Sequence, residues 1–175
     1  MENASLWIER LALRKHPEGG WYRETYRAAE TIPADALPER FRNARPFSTA
    51  IYFLLAGDEF SAFHRLKSDE IWHFYAGTPL ILHTISPEGR YSFNRLGPAP
   101  ENNQALQLLV PAGWWQAAEL SAPRGFALLG CTVAPGFDFT DFELAVPAEL
   151  IRICPSQRPI IERLTRGQKN SDNSI

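Results

Sequence analysis

The chain has 175 residues, with 18 basic side chains against 20 acidic ones and a formal net charge of −2. Apolar residues make up 45% of it, which suits a packed core and argues against disorder. No basic block exists to bind nucleic acid, and no apolar run approaches the roughly 20 residues of a membrane span.

The first residues carry Glu2 and Glu9 and lack the apolar centre of a secretion signal, so a cytoplasmic protein is expected. The two cysteines, Cys131 and Cys154, do not make a disulfide framework. Cys131 lies in an apolar run and reads as a small core residue. Residues 5–13 read as a short helix, with Ser5 as N-cap and Leu6, Ile8, Leu11 and Leu13 as an apolar stripe. His16-Pro17 ends it. Glu18-Gly19-Gly20 then reads either as a plain tight turn or as a support that presents Tyr22 and Arg23. Trp21 to Tyr26 alternate bulky and polar groups, as a strand does.

Residues 31–46 carry Pro33, Pro38 and Pro46 and are expected to form a loop. From Phe47 onward the pattern predicts strands over 47–55, 61–66, 71–75, 80–86, 90–96, 106–110, 114–119 and 126–133. Turn signals at Gly57, Gly77, Gly89, Gly97, Gly113 and Gly125 separate them. A regular spacing of about 10 residues implies an all-β sandwich or barrel. Helices are predicted over 147–154 and 156–164. One domain over 1–166 is expected, followed by a polar tail at 167–175 that should fray.

Three stretches carry a family resemblance. They are E-G-G-W-Y-R-E-T-Y-R at 18–27, F-H-R-L-K-S-D-E-I-W-H-F-Y-A-G at 63–77 and P-G-F-D-F-T-D-F-E at 135–143. Gly57, His64, Glu70 and Gly77 hold the frame of a first cupin motif, and Pro111-Ala112-Gly113-Trp114-Trp115-Gln116 that of a second. Together they resemble the single-domain cupins grouped as domain of unknown function 985, whose barrels are similar to sugar-nucleotide epimerases. The resemblance implies an all-β jelly-roll barrel flanked by short N- and C-terminal helices. It also implies where a metal would sit, and there the chain departs from the family. Leu66 and Gln116 occupy positions where cupins usually place metal-binding His. No cofactor and no tightly held metal are therefore expected. If a metal bound at all, His64, Glu70 and Gln116 would be its ligands.

Strand parity gives a second view of the same residues. Positions i and i+2 share a face, so His64 shares one with Leu66, and Glu70 shares one with Trp72 and Phe74. Trp114 and Gln116 join them by the same rule. If His64 and Glu70 both face the lumen, the result is an apolar, aromatic-walled space with one imidazole, one carboxylate and one amide, as a small-molecule site requires. His73 and Tyr75 should point outside. Glu70 needs a partner in such a place; His64, Arg23 and Arg65 are the candidates. Phe137, Phe139 and Phe142 read as core or dimer packing rather than as a ligand box.

These residues suggest two functions. The first is binding of a small polar or anionic, carbohydrate-like molecule in the barrel. The second is metal-independent isomerisation or epimerisation of a sugar-like substrate by proton transfer. There His64 would be the base and Glu70 would orient it or share its proton. Tyr22 or Tyr52 could be the acid, and Arg23 could hold an anionic group. A buried polar network that merely fixes the barrel would use the same His64 and Glu70. A homodimer is expected from the apolar content and the resemblance.

Overall fold

The structure is a computed structural model and describes residues 4–166; the predicted tail at 167–175 lies outside the described residues. One helix, α1 (Ala4–Arg10), precedes the strands. The first strands are β1 (Arg14–Lys15), β2 (Trp21–Arg27), β3 (Thr31–Ile32) and β4 (Arg45–Pro46). There follow β5 (Thr49–Ala56), β6 (Phe60–Leu66), β7 (Asp69–Gly77), β8 (Leu80–Ile85) and β9 (Tyr91–Leu96). The last are β10 (Gln104–Ala105), β11 (Gln107–Val110), β12 (Trp115–Leu120), β13 (Phe126–Ala134) and β14 (Phe142–Leu144). Helices α2 (Pro147–Ile153) and α3 (Arg158–Arg163) close the described chain. Residues 31–46 hold the small β3–β4 ribbon instead of a plain loop.

Two six-stranded sheets face each other. The first runs β1-β2-β5-β13-β7-β11 and the second β10-β9-β8-β12-β6-β14. Many neighbours in space, such as β5 and β13 or β6 and β12, are far apart in sequence, as in a jelly roll. Between the sheets, alternate residues of each strand point inward. Leu55, Leu80, Leu82, Leu96, Ala127 and Leu129 fill one end of the barrel and are fully buried. The same inward rows continue to the other end, where Thr49 and Ile51 on β5 and Cys131 and Val133 on β13 line an open cavity. One end of the barrel is thus packed core and the other is an open cavity.

The outer faces are covered unevenly. α2 and α3 seal the second sheet with Leu150, Ile161 and Leu164, packed on Phe63, Ile85 and Trp115. α1 covers only part of the first sheet, through Trp7 and Ile8 against Leu54 and Leu128. The uncovered part exposes Ile71, Tyr75 and Leu109. Among the described residues, no helix is long and apolar enough to cross a membrane.

Candidate active site in the barrel mouth

The open end is a cavity of about 300 Å³. Its inner wall carries His64, Glu70 and Glu18, all nearly fully buried. β6 supplies His64 and β7 supplies Glu70. Glu18 arrives from a turn that only glycine permits. Gly19 and Gly20 have φ of 118° and 69°, and a side chain on either would strike the backbone oxygen of Phe60 or Leu54 at 2.2 or 2.7 Å. The turn folds back between β1 and β2 and drives Glu18 inward.

Glu18 has three side-chain partners. Its Oε2 lies 3.2 Å from His16 Nδ1 and 3.3 Å from His64 Nε2. Its Oε1 accepts from the Ser61 hydroxyl at 2.7 Å. Burial alone would raise its pKa. The charge of His64 and the contacts to His16 and Ser61 outweigh burial and hold it below the ordinary value. His64 is fixed from the other side. Its Nδ1 lies 2.8 Å from the Ala62 carbonyl oxygen, which can only accept, so Nδ1 carries a proton. Nε2 is therefore the nitrogen left to exchange a proton in the cavity.

Glu70 behaves in the opposite way. Burial raises its pKa and the nearby charge of Glu18 adds to that. The His64 charge and hydrogen bonds from Gln116 and Cys131 do not cancel the rise. Gln116 Nε2 donates to Glu70 at 2.5 Å, while its Oε1 accepts from the Trp72 indole at 2.9 Å. Cys131 hydrogen-bonds Glu70; burial first, then the charges of Glu70 and Glu18, push its thiol well above the usual pKa. A thiol in that state is a hydrogen-bond donor and a poor nucleophile.

Aromatic rings form the outer wall. Tyr22 stands edge-on to His16 at 4.5 Å, and Phe139 stacks on His16 at 6.1 Å. Phe142 lies 5.3 Å from His64. Phe137, Phe139 and Phe142 all line the cavity, so the expectation that they serve only core or dimer packing is corrected. Arg14, stacked on Tyr22, brings positive charge to the rim, where Arg27 is already paired with Glu24.

The sequence-predicted site residues divide into three groups. His64, Leu66, Glu70 and Tyr22 line the cavity. Trp72, Phe74, Trp114 and Gln116 belong to the packed half of the barrel, just behind it. Gln116 and Trp72 still reach the site through the hydrogen-bond chain to Glu70. Tyr52 and Arg23 are corrections. They pair with each other across β2 and β5, and the Arg23 guanidinium lies over the Tyr52 ring on the outer face. Parity is the reason, because Ile51 and Phe53 take the inward positions that flank Tyr52. Arg65 is not the partner of Glu70 either; it pairs with Glu143 and stacks on Trp115. His73 bonds Thr132 and Gln107 outside the cavity.

The missed residues are His16 and Glu18. Their spacing, a His and a carboxylate two positions apart against a double glycine, was the available signal. A helix stop and a turn explained the same letters, and nothing local showed that the turn points inward.

The donor set does not fit a cupin metal. Leu66 offers no donor atom, and both polar atoms of Gln116 are engaged by Trp72 and Glu70. Among the described residues, no group of three or more His, Cys, Asp or Glu is arranged to hold an ion.

A jelly-roll barrel packed at one end and carrying a small polar cluster at the other is a cupin barrel. The chain belongs to the family described as Cupin superfamily (DUF985), which it matches over residues 5–145. It is similar to protein SO0799 from Shewanella oneidensis, at 38% identity and a TM-score of 0.86. That likeness covers 96% of this chain and 100% of that one. A hypothetical protein from Leishmania major is similar at 34% identity and a TM-score of 0.86, covering 95% of this chain and all of the other. The Saccharomyces cerevisiae protein YML079W, described as uncharacterized, is 30% identical over 138 residues, which is 74% of this chain and 68% of that protein.

Proposed function

We propose that the barrel binds a small polar or anionic, carbohydrate-like molecule and moves a proton on it without a metal. The observation that carries this reading is the pair of buried carboxylates on either side of His64, shifted in opposite directions. Glu18 is held ionised and Glu70 is pushed toward its protonated form. Two titratable groups whose surroundings push them apart in this way suit a division of roles between a base side and an acid side of one site.

In this reading the substrate has a C–H next to a carbonyl. The neutral form of His64 takes the proton at Nε2, and the Glu18 carboxylate, 3.3 Å away, stabilises the imidazolium that forms. The electron pair moves onto the carbonyl oxygen as an enolate. Glu70 then gives its proton to the carbon from another side, and solvent exchange restores both groups. Tyr22 and the phenylalanines supply the apolar wall, and Arg14 suits an anionic group at the rim.

The test is deuterium incorporation. The protein is incubated in D2O with a metabolite extract and a metal chelator, and the small molecules are weighed by mass spectrometry. A compound that gains one deuterium with the native protein, and not with His64→Ala or Glu70→Gln, is the expected result. A ligand retained by the protein with no deuterium entering any compound overturns turnover and leaves binding, the second reading, which the enclosed aromatic wall supports. The exposed Ile71, Tyr75 and Leu109 on the first sheet support a second copy of the chain as a partner.

A further inference from the structure

Outside the barrel, the fold assembles a cluster of cations that the linear sequence does not show. Arg40, Arg42 and Arg45 come from the segment before β5. Arg65 and Lys67 come from the end of β6 and the turn that follows. They line two adjoining hollows of about 370 and 450 Å³, which share Lys67 and Thr140. Five cationic side chains face this trough, against two carboxylates, Asp141 and Glu143.

The carboxylates do not balance the cations. Asp141 is already held by Arg45 through a two-pronged contact at 2.5 and 2.7 Å. Arg45 is 1% exposed and Asp141 6%, so this pair is the rigid floor of the trough. The remaining N–H groups of Arg45 face the carbonyls of Asn43 and Ala44 and the Thr140 hydroxyl. Lys67, half-buried, reaches the same Asp141 at 3.4 Å. Arg45 and Lys67 thus share Asp141, and Asp138 adds a weaker attraction to Arg45. Glu143 is engaged by Arg65. Arg40 gives its Nε–H to the Lys67 carbonyl at 2.7 Å, which fixes the guanidinium over the trough. Among the described residues, no carboxylate lies within ion-pair distance of Arg40 or Arg42.

We propose that this trough is a second binding site, separate from the barrel cavity, for a small multiply charged phosphate anion. Like charges gathered around one trough, with Arg40 and Arg42 exposed and Lys67 half-buried, repel one another, and an anion removes that cost. A guanidinium fork and an ammonium match phosphate oxygens in both charge and geometry. The two hollows suit a diphosphate better than a monovalent carboxylate, because Lys67 stands between Arg40 on one side and Arg42 on the other. The protein as a whole carries a net charge of −2, so general attraction of anions does not explain binding at this point.

Calorimetry with inorganic pyrophosphate tests this on the intact protein, with inorganic phosphate and acetate at matched ionic strength. Pyrophosphate is expected to bind at about millimolar Kd or tighter, phosphate more weakly, and acetate not at all. The double variant Arg40→Ala and Arg42→Ala should lose at least about tenfold in affinity, a change of about 1.4 kcal/mol. Both residues are exposed, so the fold should survive, which circular dichroism checks. Arg158→Ala, which alters an exposed arginine on α3 paired with Glu162, should bind as the parent does. The proposal is overturned if the parent does not bind pyrophosphate, if the double variant binds as the parent does, or if Arg158→Ala weakens binding equally. A parent that binds a phosphorylated peptide or a nucleic acid fragment far more tightly than pyrophosphate overturns the small-anion assignment.

Discussion

Gln116 donates its side-chain amide to Glu70 and turns its carbonyl toward the Trp72 indole. The indole N–H can only donate, so it fixes which way the amide points. Glu70 is therefore offered an N–H at Oε2, and its other oxygen is left free of Gln116. At a position where the family frame usually has a metal-binding His, this chain places an amide that orients Glu70; burial and the charge of Glu18, not Gln116, are what raise its pKa.

The opposite shifts of Glu18 and Glu70 make opposite stability predictions. Glu18 has a folded pKa below its unfolded value, so it stabilises at neutral pH and loses this as pH falls through the folded value. Glu70 has a folded pKa above its unfolded value. Its contribution is complete at low pH and is lost as pH rises through the folded value. At pH 7, Glu18→Gln should cost about 1.5–3 kcal/mol, as loss of a charged hydrogen bond does. Glu70→Gln should be neutral or stabilising, because Gln can still accept from Gln116. Urea unfolding between about pH 4 and 8 measures both. Destabilisation of equal size by the two variants at pH 7 would contradict the assignment.

His64→Ala separates chemistry from structure. The loss of one buried network member costs about 1–3 kcal/mol, or roughly 2–4 °C of melting temperature per kcal/mol in a chain of this size. Deuterium transfer in the assay above should vanish, while the variant remains folded at 25 °C. Transfer that persists at the parental rate in a folded His64→Ala protein would remove His64 from the reaction.

Much of this was legible in the sequence, for a physical reason. Period-two alternation and turn glycines report strands directly, and strand parity then puts His64 with Leu66 and Glu70 with Trp72; that the two pairs face each other across the barrel depends on the sheet order. Parity could not say how deep along the barrel each inward residue lies. Trp72 and Phe74 share the face of Glu70 and still belong to the packed half, because the core fills one end and the cavity takes the other. Tyr52 points outward because Ile51 and Phe53, its strand neighbours, take the inward positions. Glu18 and the cluster of Arg40, Arg42 and Lys67 were hidden more deeply. Each depends on segments far apart in sequence, which only the sheet order brings together.

The uncovered part of the first sheet should be a contact between two copies. Ile71, Tyr75 and Leu109 are exposed there. The Tyr75 hydroxyl lies over Gly130, where any side chain would meet it at 2.2 Å. Leu109→Arg would place a charge in that apolar face. Light scattering on the parent should give twice the chain mass, and on the variant a single chain mass with the barrel still folded. A monomeric parent would show that the face is free in solution.

The metal frame should be repairable. Leu66 lines the cavity beside His64, and Gln116 lies opposite His64 on β12. Leu66→His together with Gln116→His would bring three imidazoles and the Glu70 carboxylate toward one point, which is a sound ligand set for a divalent transition metal. The strands are paired on both sides and should hold the new side chains with little backbone change. Gln116→His removes the hydrogen bond that supports Glu70, and a metal would replace it with a stronger partner. Nickel should therefore bind the double variant at least about tenfold tighter than the parent, a difference of about 1.4 kcal/mol, as read by calorimetry. Glu70→Gln added to the double variant should take most of that gain away, since the carboxylate is the charged ligand. Equal nickel affinity in the parent and a folded double variant would mean that Leu66 and Gln116 do not stand at ligand positions, and the correspondence with the cupin frame would fail there.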